Sequence, residues 1–267
     1  MRILACAVIL GFHMPLLGEE IVHRFQAGDY NDELFSYTRT SKQFIRPEDE
    51  GLHWHYGDGK APAKPMGVHW RYAVRGDFAI TAQYELLWAN RPDGADGVGI
   101  ELFMVLANSQ KDGISVARTR CKDGPRLQFL HKFFDESGNR ASKELKSLGT
   151  TPASDRGRLR FERDGSTLIV SLAEGDQKYF KELHRAEIGT SDVEMIRFAG
   201  LSAGDHDAQL DMRLVEFRLQ GDQLLKKGTI PATEASSTGW LVWGIGALFL
   251  GLGAFLFFQR RKLKPAR

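Results

Sequence analysis

The sequence predicts an all-β protein, an antiparallel β-sandwich followed by one C-terminal transmembrane helix. Hydrophobic residues alternate with polar ones over many short segments, which is typical of half-buried strands. Glycine and aspartate separate these segments, as they do in antiparallel hairpins. Near the C-terminus, about 20 residues without a charge match the length that an α-helix needs to cross a bilayer.

Residues 1–18 are typical of a short signal peptide. Arg2 is followed by the apolar run ILACAVILGF, and small residues near Gly18 indicate cleavage there. Cys6 weakly matches a lipoprotein cleavage site, but it lies too close to the N-terminus to leave a proper hydrophobic stretch. We therefore expect an exported domain that begins at residue 19.

The segment DFAITAQYELLW predicts a long strand with one buried face. Thr81, Gln83 and Glu85 point to the polar face, because successive side chains of a strand alternate. The expected hydrophobic face consists of Phe78, Ile80, Ala82, Tyr84, Leu86 and Trp88.

A hairpin is predicted by GRLRFERDGSTLIVSLAEG, in which Asp164-Gly165 lies between two alternating runs. Other expected strands are IVHRFQ, LHWHY, VHWRYAV, GVGIELFMVL, ISVARTR, RLQFLHKFF, DVEMIRFAGLS and AQLDMRLVEFRL. The total is about ten to thirteen strands, and NDELFSYT predicts at most a short helix. Such a pattern favours an antiparallel sandwich or barrel over residues 19–222.

Residues 239–258, GWLVWGIGALFLGLGAFLFF, predict the transmembrane helix. Trp240 and Trp243 lie at its N-terminal end, where indole rings favour the headgroup region. The basic tail, residues 259–267, is expected on the cytoplasmic side. We therefore expect a single-pass protein of the cytoplasmic membrane whose N-terminal domain is extracytoplasmic, either periplasmic or on the cell surface.

Residues 223–238 predict a linker, since KKGTIPATEASST is small, polar and proline-containing. Two alternatives to a permanent anchor remain. The apolar span is a buried core helix in one alternative. In the other, the span and the arginine cluster form a C-terminal sorting signal that is cleaved after insertion.

Charge and cysteine content exclude some classes of protein. Without Arg2 and the five basic residues of the tail, the chain holds 30 basic and 34 acidic residues, a net charge of about −4. We expect no nucleic-acid partner, because such binding needs a concentrated basic face. Once the signal peptide is removed, Cys121 is alone, so no intrachain disulfide is possible.

Three segments carry a family resemblance: RGDFAITAQYELL, GRLRFERDGSTLIVSLAEGD and MIRFAGLSAGDHDAQLDMRLVEFRL. Their order resembles the concanavalin A-like jelly roll of laminin-G, lectin and glucanase-type domains, over roughly residues 21–220. More narrowly, the chain resembles bacterial secreted domains of this fold whose function is uncharacterised. The resemblance implies two antiparallel sheets packed face to face, and a binding or hydrolytic role toward glycans.

A glycan hydrolase of the retaining type needs two carboxylates about 5 Å apart. In the enzymes that this chain resembles, the pair lies on one strand in a Glu-x-Asp-x-Glu pattern, which this sequence lacks. Glu85 and Glu101 are the remaining catalytic candidates, if they face each other on neighbouring strands. The other interpretation is that both are solvated surface groups, so we predict no catalytic residue.

The segments LHWHYGDG and GVHWRY supply the candidate ligand-binding residues Trp54, Tyr56, Trp70 and Arg71. Aromatic faces suit the C–H surfaces of a sugar ring, so these side chains predict a stacking platform. Core packing of a sandwich is the alternative for the three aromatic residues.

Two metal hypotheses arise from the same reasoning. His53 and His55 share one strand face and match a zinc site, with His69 or Asp58 as a third ligand. We expect no cofactor except possible calcium, whose candidate ligands lie in two acidic loops. These ligands are Asp93, Asp96, Asp205 and Asp207.

The predicted function is therefore recognition without catalysis, by a domain displayed outside the membrane. The bilayer is the partner of residues 239–258, and the ligand is a carbohydrate, a glycoprotein or another envelope protein. Two alternatives stay open: a glycan-active hydrolase or lyase with an atypical carboxylate pair, and a structural envelope protein that makes protein contacts only.

Overall fold

The computed structural model describes residues 18–38, 41–57, 61–62, 64–90, 97–108, 112–134, 140–148, 152–202 and 207–226. For residues 133–134 and 140–144 it describes the backbone alone. The predicted transmembrane helix, the basic tail and most of the signal peptide lie outside these residues. Within them, no helix is long and apolar enough to span a membrane.

Strands account for nearly all the secondary structure of the described residues, with one 3₁₀ turn at Ser41–Gln43 as the exception. The strands are β1 (Glu19–Arg24), β2 (Phe35–Tyr37), β3 (Ile45–Glu48), β4 (Gly51–Tyr56), β5 (Met66–Trp70), β6 (Tyr72–Ala89), β7 (Val98–Leu106), β8 (Gly113–Cys121), β9 (Gly124–Phe134), β10 (Arg140–Ser147), β11 (Arg156–Asp164), β12 (Thr167–Glu174), β13 (Lys181–Glu187), β14 (Val193–Leu201) and β15 (Leu210–Lys226). The last strand extends four residues into the predicted linker, and NDELFSYT forms a turn followed by β2.

The strands form two antiparallel layers. In the first sheet, β6 pairs with β11 and β15, and β11 continues to β12 and β13. β15 also pairs with β1 and β4, and β4 pairs with β3. The second sheet runs in the order β10-β9-β8-β7-β14-β5-β2. Only the bridge between Val193 and Val74 joins them within the described residues. The predicted β-sandwich is confirmed.

Alternation along each strand places one row of side chains between the sheets. On β6, Ile80, Ala82 and Tyr84 are at most 1% exposed, while the residues between them are half-buried. The predicted hairpin is also present, because β11 ends at Asp164 and Gly165 adopts the positive φ of 60° that a tight turn needs. A single apolar core between two sheets therefore sets which side chains face outward.

The expected burial of Trp88 is wrong. Met212 pairs with Leu86 and Asp211 pairs with Trp88, so Leu87 is an extra residue in β6. Such a β-bulge reverses the alternation. Trp88 is consequently 46% exposed on the face away from the core, and Ala89 returns to the core at 3% exposure.

Candidate functional site

The face of the first sheet that points away from the core, here called the outer face, carries a dense set of polar side chains. They come from β4, β15, β6 and β11, whose register aligns them in rows across the sheet. One such row runs from His53 through Arg213 to Glu85. A second row runs from His55 through Asp211 to Trp88.

A groove of about 370 Å³ lies at the β3–β4–β15 end of this face, and we call it the histidine groove. It is lined by Gln43, Phe44, Arg46, Glu48, His53, His55 and Asp211. Residues from three paired strands meet here because β4 is hydrogen-bonded to β3 on one side and to β15 on the other. Hydrogen-bonded strands therefore fix the positions of most residues that line the groove.

His53 is held at both ring nitrogens. Its Nδ1 lies 2.8 Å from Oε1 of Glu48, and its Nε2 lies 2.6 Å from Oδ1 of Asp211. The other oxygen of Asp211 lies 3.6 Å from Nδ1 of His55. Two imidazoles thus converge on one carboxylate, and a second carboxylate fixes the ring of His53.

Arg213 lies beside this cluster and is surrounded by carboxylates. Its guanidinium lies 3.7 Å from Glu48, 3.6 Å from Glu50 and 3.7 Å from Glu85. These separations are ion-pair distances in a partly solvated setting, so each contributes well under about 1 kcal/mol to stability. These ion pairs mainly fix the positions of charged hydrogen-bond donors and acceptors beside the groove.

Trp88 adds an exposed aromatic surface to the same face. It pairs with Asp211 of β15, and Asp211 pairs on its other side with His55 of β4. Adjacent strands lie about 4.8 Å apart, so Trp88 and His55 flank Asp211 at roughly 10 Å from each other. An aromatic ring beside a carboxylate and an imidazole offers both stacking and hydrogen bonding to one small ligand.

A second groove of about 220 Å³, here called the arginine groove, lies further along the outer face. Arg158 and Arg160 place their guanidinium carbons 5.0 and 5.2 Å from the ring centroid of Phe180. Arg218 lies on the opposite side, 3.2 Å from Glu20. The complete lining is Glu20, Ala79, Thr81, Arg158, Arg160, Phe180, Glu216, Arg218 and Gln220.

Both grooves belong to one surface, since Asp211 and Arg218 are outward residues of the same strand. A strand rises about 3.3 Å per residue, so these seven steps span roughly 20 Å. That distance is several sugar units long. The outer face therefore offers an extended polar path with Trp88 near one end and Phe180 near the other.

The predicted stacking platform is not on a surface. Trp54, Tyr56 and Trp70 are 0%, 2% and 1% exposed, because each belongs to the core-facing row of its strand. The pKa of Tyr56 is raised by burial of its hydroxyl group. Such rings leave no face for a ligand, so their role is core packing. Arg71 is exposed at the turn before β6, where its Nε donates to the carbonyl of Phe35 at 2.9 Å.

The two carboxylates proposed as a catalytic pair lie on different sheets. Glu85 faces outward on β6 near Arg213, whereas Glu101 faces outward on β7 and lies 2.7 Å from Arg197. β6 and β7 are not paired with each other, and the core separates their outer faces. The structure therefore does not bring these two minority candidates together, and Glu101, at 6% exposure, is not the solvated surface group of the other interpretation either.

The metal candidates have mixed outcomes. His53 and His55 share a face as predicted, but His69 lies on the second sheet, paired with Arg197 of β14. Asp211 occupies the position of a third ligand instead. Asp207 lies in a turn where its carbonyl accepts from Asn90 at 2.9 Å. The other candidates, Asp58, Asp93, Asp96 and Asp205, lie outside the described residues.

Sequence reasoning did not identify Asp211, Trp88 or the arginine groove as functional candidates. Asp211 and Arg213 stand at outward positions of the alternating segment AQLDMRLVEFRL, which is the signal that was available. Their neighbours on β4 are about 158 positions away in the chain, so only the strand pairing reveals the cluster.

Several solved structures have a similar fold. A β-glucanase from Bacillus licheniformis matches with TM-score 0.50 and 13% identity, over 78% of this chain and 100% of that one. A legume lectin-like domain from Entamoeba histolytica matches with TM-score 0.51 and 10% identity, over 74% and 96%. A GH43 protein of Bacillus licheniformis matches with TM-score 0.51 and 9% identity, over 75% of this chain but only 39% of that one. These similarities confirm the concanavalin A-like jelly roll and establish the fold alone.

Sequence comparison gives one further result. A family model described as "Protein of unknown function (DUF1583) C domain" matches residues 12–237. A search of the curated proteins finds no significant match.

Proposed function

The chain belongs to the DUF1583 C-domain family, and we propose that it is a non-catalytic carbohydrate-binding domain displayed outside the cytoplasmic membrane. The observation that carries this proposal is the outward position of Trp88 in the same cross-strand row as Asp211 and His55. A tryptophan with 46% of its surface exposed is costly to solvate, and the β-bulge at Leu87 holds it there. A sugar ring suits this position, because its C–H face can stack on the indole and its hydroxyls can form hydrogen bonds with the charged side chains.

The two grooves support a chain-like ligand. A polysaccharide that covers the outer face from Trp88 to Phe180 meets an exposed tryptophan at one end, a phenylalanine at the other, and the charged residues of the two grooves between them. Hydroxyl groups both donate and accept, so they pair with the mixed charges of this face. The fold that this chain shares with a β-glucanase and a lectin-like domain agrees with a glycan ligand, by analogy only.

Binding is favoured over hydrolysis because Glu85 and Glu101, the minority catalytic candidates, do not face each other. Glu85 and Glu101 lie on opposite outer faces, and each contacts an arginine instead of the other carboxylate. A retaining hydrolase needs two carboxylates about 5 Å apart. Recognition of a glycan requires no such pair.

Display outside the membrane is the second part of the proposal. It rests on the apolar residues 239–258 and the basic tail that follows them. Protease added to intact spheroplasts should digest the domain and spare the tail. Protection of the domain together with cleavage of the tail would reverse the proposed orientation.

Glycan binding is tested with the full chain in lipid nanodiscs on an array that includes β-glucans, xylans and mucin-type O-glycans. Trp88→Ala should abolish the array signal. Leu145→Ala is the matched control, since Leu145 is also about half exposed but lies on β10 of the second sheet. Loss of signal in both variants, or in neither, would contradict the proposed site. Release of reducing ends from a bound glycan would favour the hydrolase alternative instead.

A further inference from the structure

We propose that His53, His55 and Asp211 form a binding site for a divalent transition-metal ion, with Zn²⁺ as the best match. One ligand atom from each of the three residues lies within 4.8 Å of the others. Two imidazole nitrogens and a carboxylate oxygen are a donor set that zinc prefers, whereas Ca²⁺ and Mg²⁺ prefer oxygen ligands alone. The inference concerns the metal only and does not depend on the ligand being a glycan.

The sheet positions the three side chains before any metal binds. His53 and His55 are two residues apart on β4, so their side chains point to the same face. Asp211 is the register partner of His55 on β15. Since β4 is paired on both sides, the backbone that carries two of the three ligands is fixed, and little ordering entropy opposes binding.

One of the two donor distances to Asp211 already suits a tetrahedral ion. Ligand bonds of about 2.1 Å at tetrahedral angles place neighbouring donor atoms about 3.4 Å apart. Oδ2 of Asp211 lies 3.6 Å from Nδ1 of His55, close to that value. Oδ1 lies 2.6 Å from Nε2 of His53, so a metal ion between them requires a small rotation of the Asp211 carboxylate.

Glu48 is placed as the carboxylate to which a metal-binding histidine usually donates its other ring N–H. Its Oε1 lies 2.8 Å from Nδ1 of His53, so an imidazole that gives up its Nε2 proton to bind a metal ion keeps its Nδ1 proton and donates it to Glu48. The arrangement is a carboxylate–histidine–metal series built from β3 and β4. A surface histidine without a ligand does not need a carboxylate that orients its Nδ1.

The fourth coordination position would face the histidine groove. Three protein ligands and one solvent-accessible position are typical of zinc sites that bind an exchangeable molecule. Two cations among the described residues lie near the cluster: Arg46 lines the same groove, and Arg213 lies 3.7 Å from Glu48 and shares its charge with Glu50 and Glu85. The acidic groups of the cluster and its surroundings outnumber these two cations, since they are Asp211, Glu48, Glu50 and Glu85.

Direct metal binding tests the proposal without any glycan. The tag-free full chain in detergent is treated with EDTA, desalted and titrated with ZnCl₂ by calorimetry, with CoCl₂ as a spectroscopic probe. We expect one Zn²⁺ per chain and visible Co²⁺ bands of tetrahedral intensity. His55→Gln, at a side chain that is 69% exposed, should weaken Zn²⁺ binding at least tenfold without unfolding the domain.

Two further variants make the result decisive. His69→Gln is the matched control, because it removes one histidine from the second sheet and should leave Zn²⁺ binding unchanged. Glu48→Gln should weaken binding about tenfold by loosening His53, with the same stoichiometry. Absence of one-to-one binding in the wild-type chain would overturn the proposal. Retention of wild-type affinity in a folded His55→Gln/Asp211→Asn variant would overturn it as well.

Discussion

Replacement of Trp54 by alanine should destabilise the domain far more than replacement of Trp88. The indole of Trp54 is fully buried, packs against Phe198 with ring centroids 6.0 Å apart, and donates from Nε1 to the carbonyl of Met66 at 3.2 Å. Trp88 is 46% exposed, and its ring leaves no comparable void when removed. Both residues are tryptophans on strands of the first sheet, so the comparison isolates the effect of burial on the free energy of unfolding.

The expected cost of Trp54→Ala combines two losses. Truncation of a buried tryptophan costs about 3–5 kcal/mol through lost burial and the cavity that remains. The Met66 carbonyl also loses its donor, which contributes to the upper part of that range. For Trp88→Ala we expect about 1 kcal/mol or less, as for most surface substitutions.

Urea unfolding followed by circular dichroism measures both free energies of unfolding without relying on tryptophan fluorescence. With an m-value of about 2–3 kcal/mol/M, Trp54→Ala should lower the urea midpoint by about 1–2 M. Trp88→Ala should lower it by less than about 0.5 M. Equal losses in the two variants would refute the burial assignment, and a larger loss for Trp88→Ala would refute the β-bulge.

Two further predictions concern two polar side chains, the buried Tyr84 and the exposed Asp155. Burial raises the pKa of Tyr84 to about 12, and its hydroxyl has no hydrogen-bond partner among the described residues, so Tyr84→Phe should keep or slightly raise the melting temperature. A loss above about 1 kcal/mol would contradict this. Burial alone would raise the pKa of Asp155, but hydrogen bonds from Arg120 and Arg118 outweigh it and lower the pKa below its usual value. A lowered folded-state pKa contributes stability above the unfolded pKa of about 4, and this contribution is lost as the pH falls through the folded value. Asp155 is 53% exposed, so Asp155→Asn should cost about 1 kcal/mol at pH 7 and less at about pH 3, below the unfolded pKa, as measured by urea unfolding at both pH values. A cost that persists in full at the lower pH would contradict the charge-based origin.

The alternation of side chains was sufficient to predict the sandwich and most of its strands, but not β2, β3, β10 or β13. It places Ile80, Ala82 and Tyr84 in the core correctly, because period-two patterns report a buried face directly. The Asp164-Gly165 turn was predictable for the same reason, since its signal is local. The bulge at Leu87 was not predictable from the sequence, because the extra residue is defined only by the register of β6 with β15.

The candidate site was less predictable than the fold. Trp54 and Trp88 are both tryptophans in alternating segments, and only the position of the second sheet and of the bulge decides which one is exposed. The pairing of His53 and His55 was predictable from their spacing. Their convergence on Asp211 was not, since it depends on contacts across most of the chain.

Titration of the tightest array glycan into wild-type, Trp88→Phe and Trp88→Ala chains tests the proposed glycan site most directly. Phenylalanine keeps an aromatic face, so Trp88→Phe should bind within a few-fold of wild type, whereas Trp88→Ala should lose affinity at least tenfold. Equal affinity of the wild-type and alanine chains would contradict the account, because the exposed ring would then have no part in recognition.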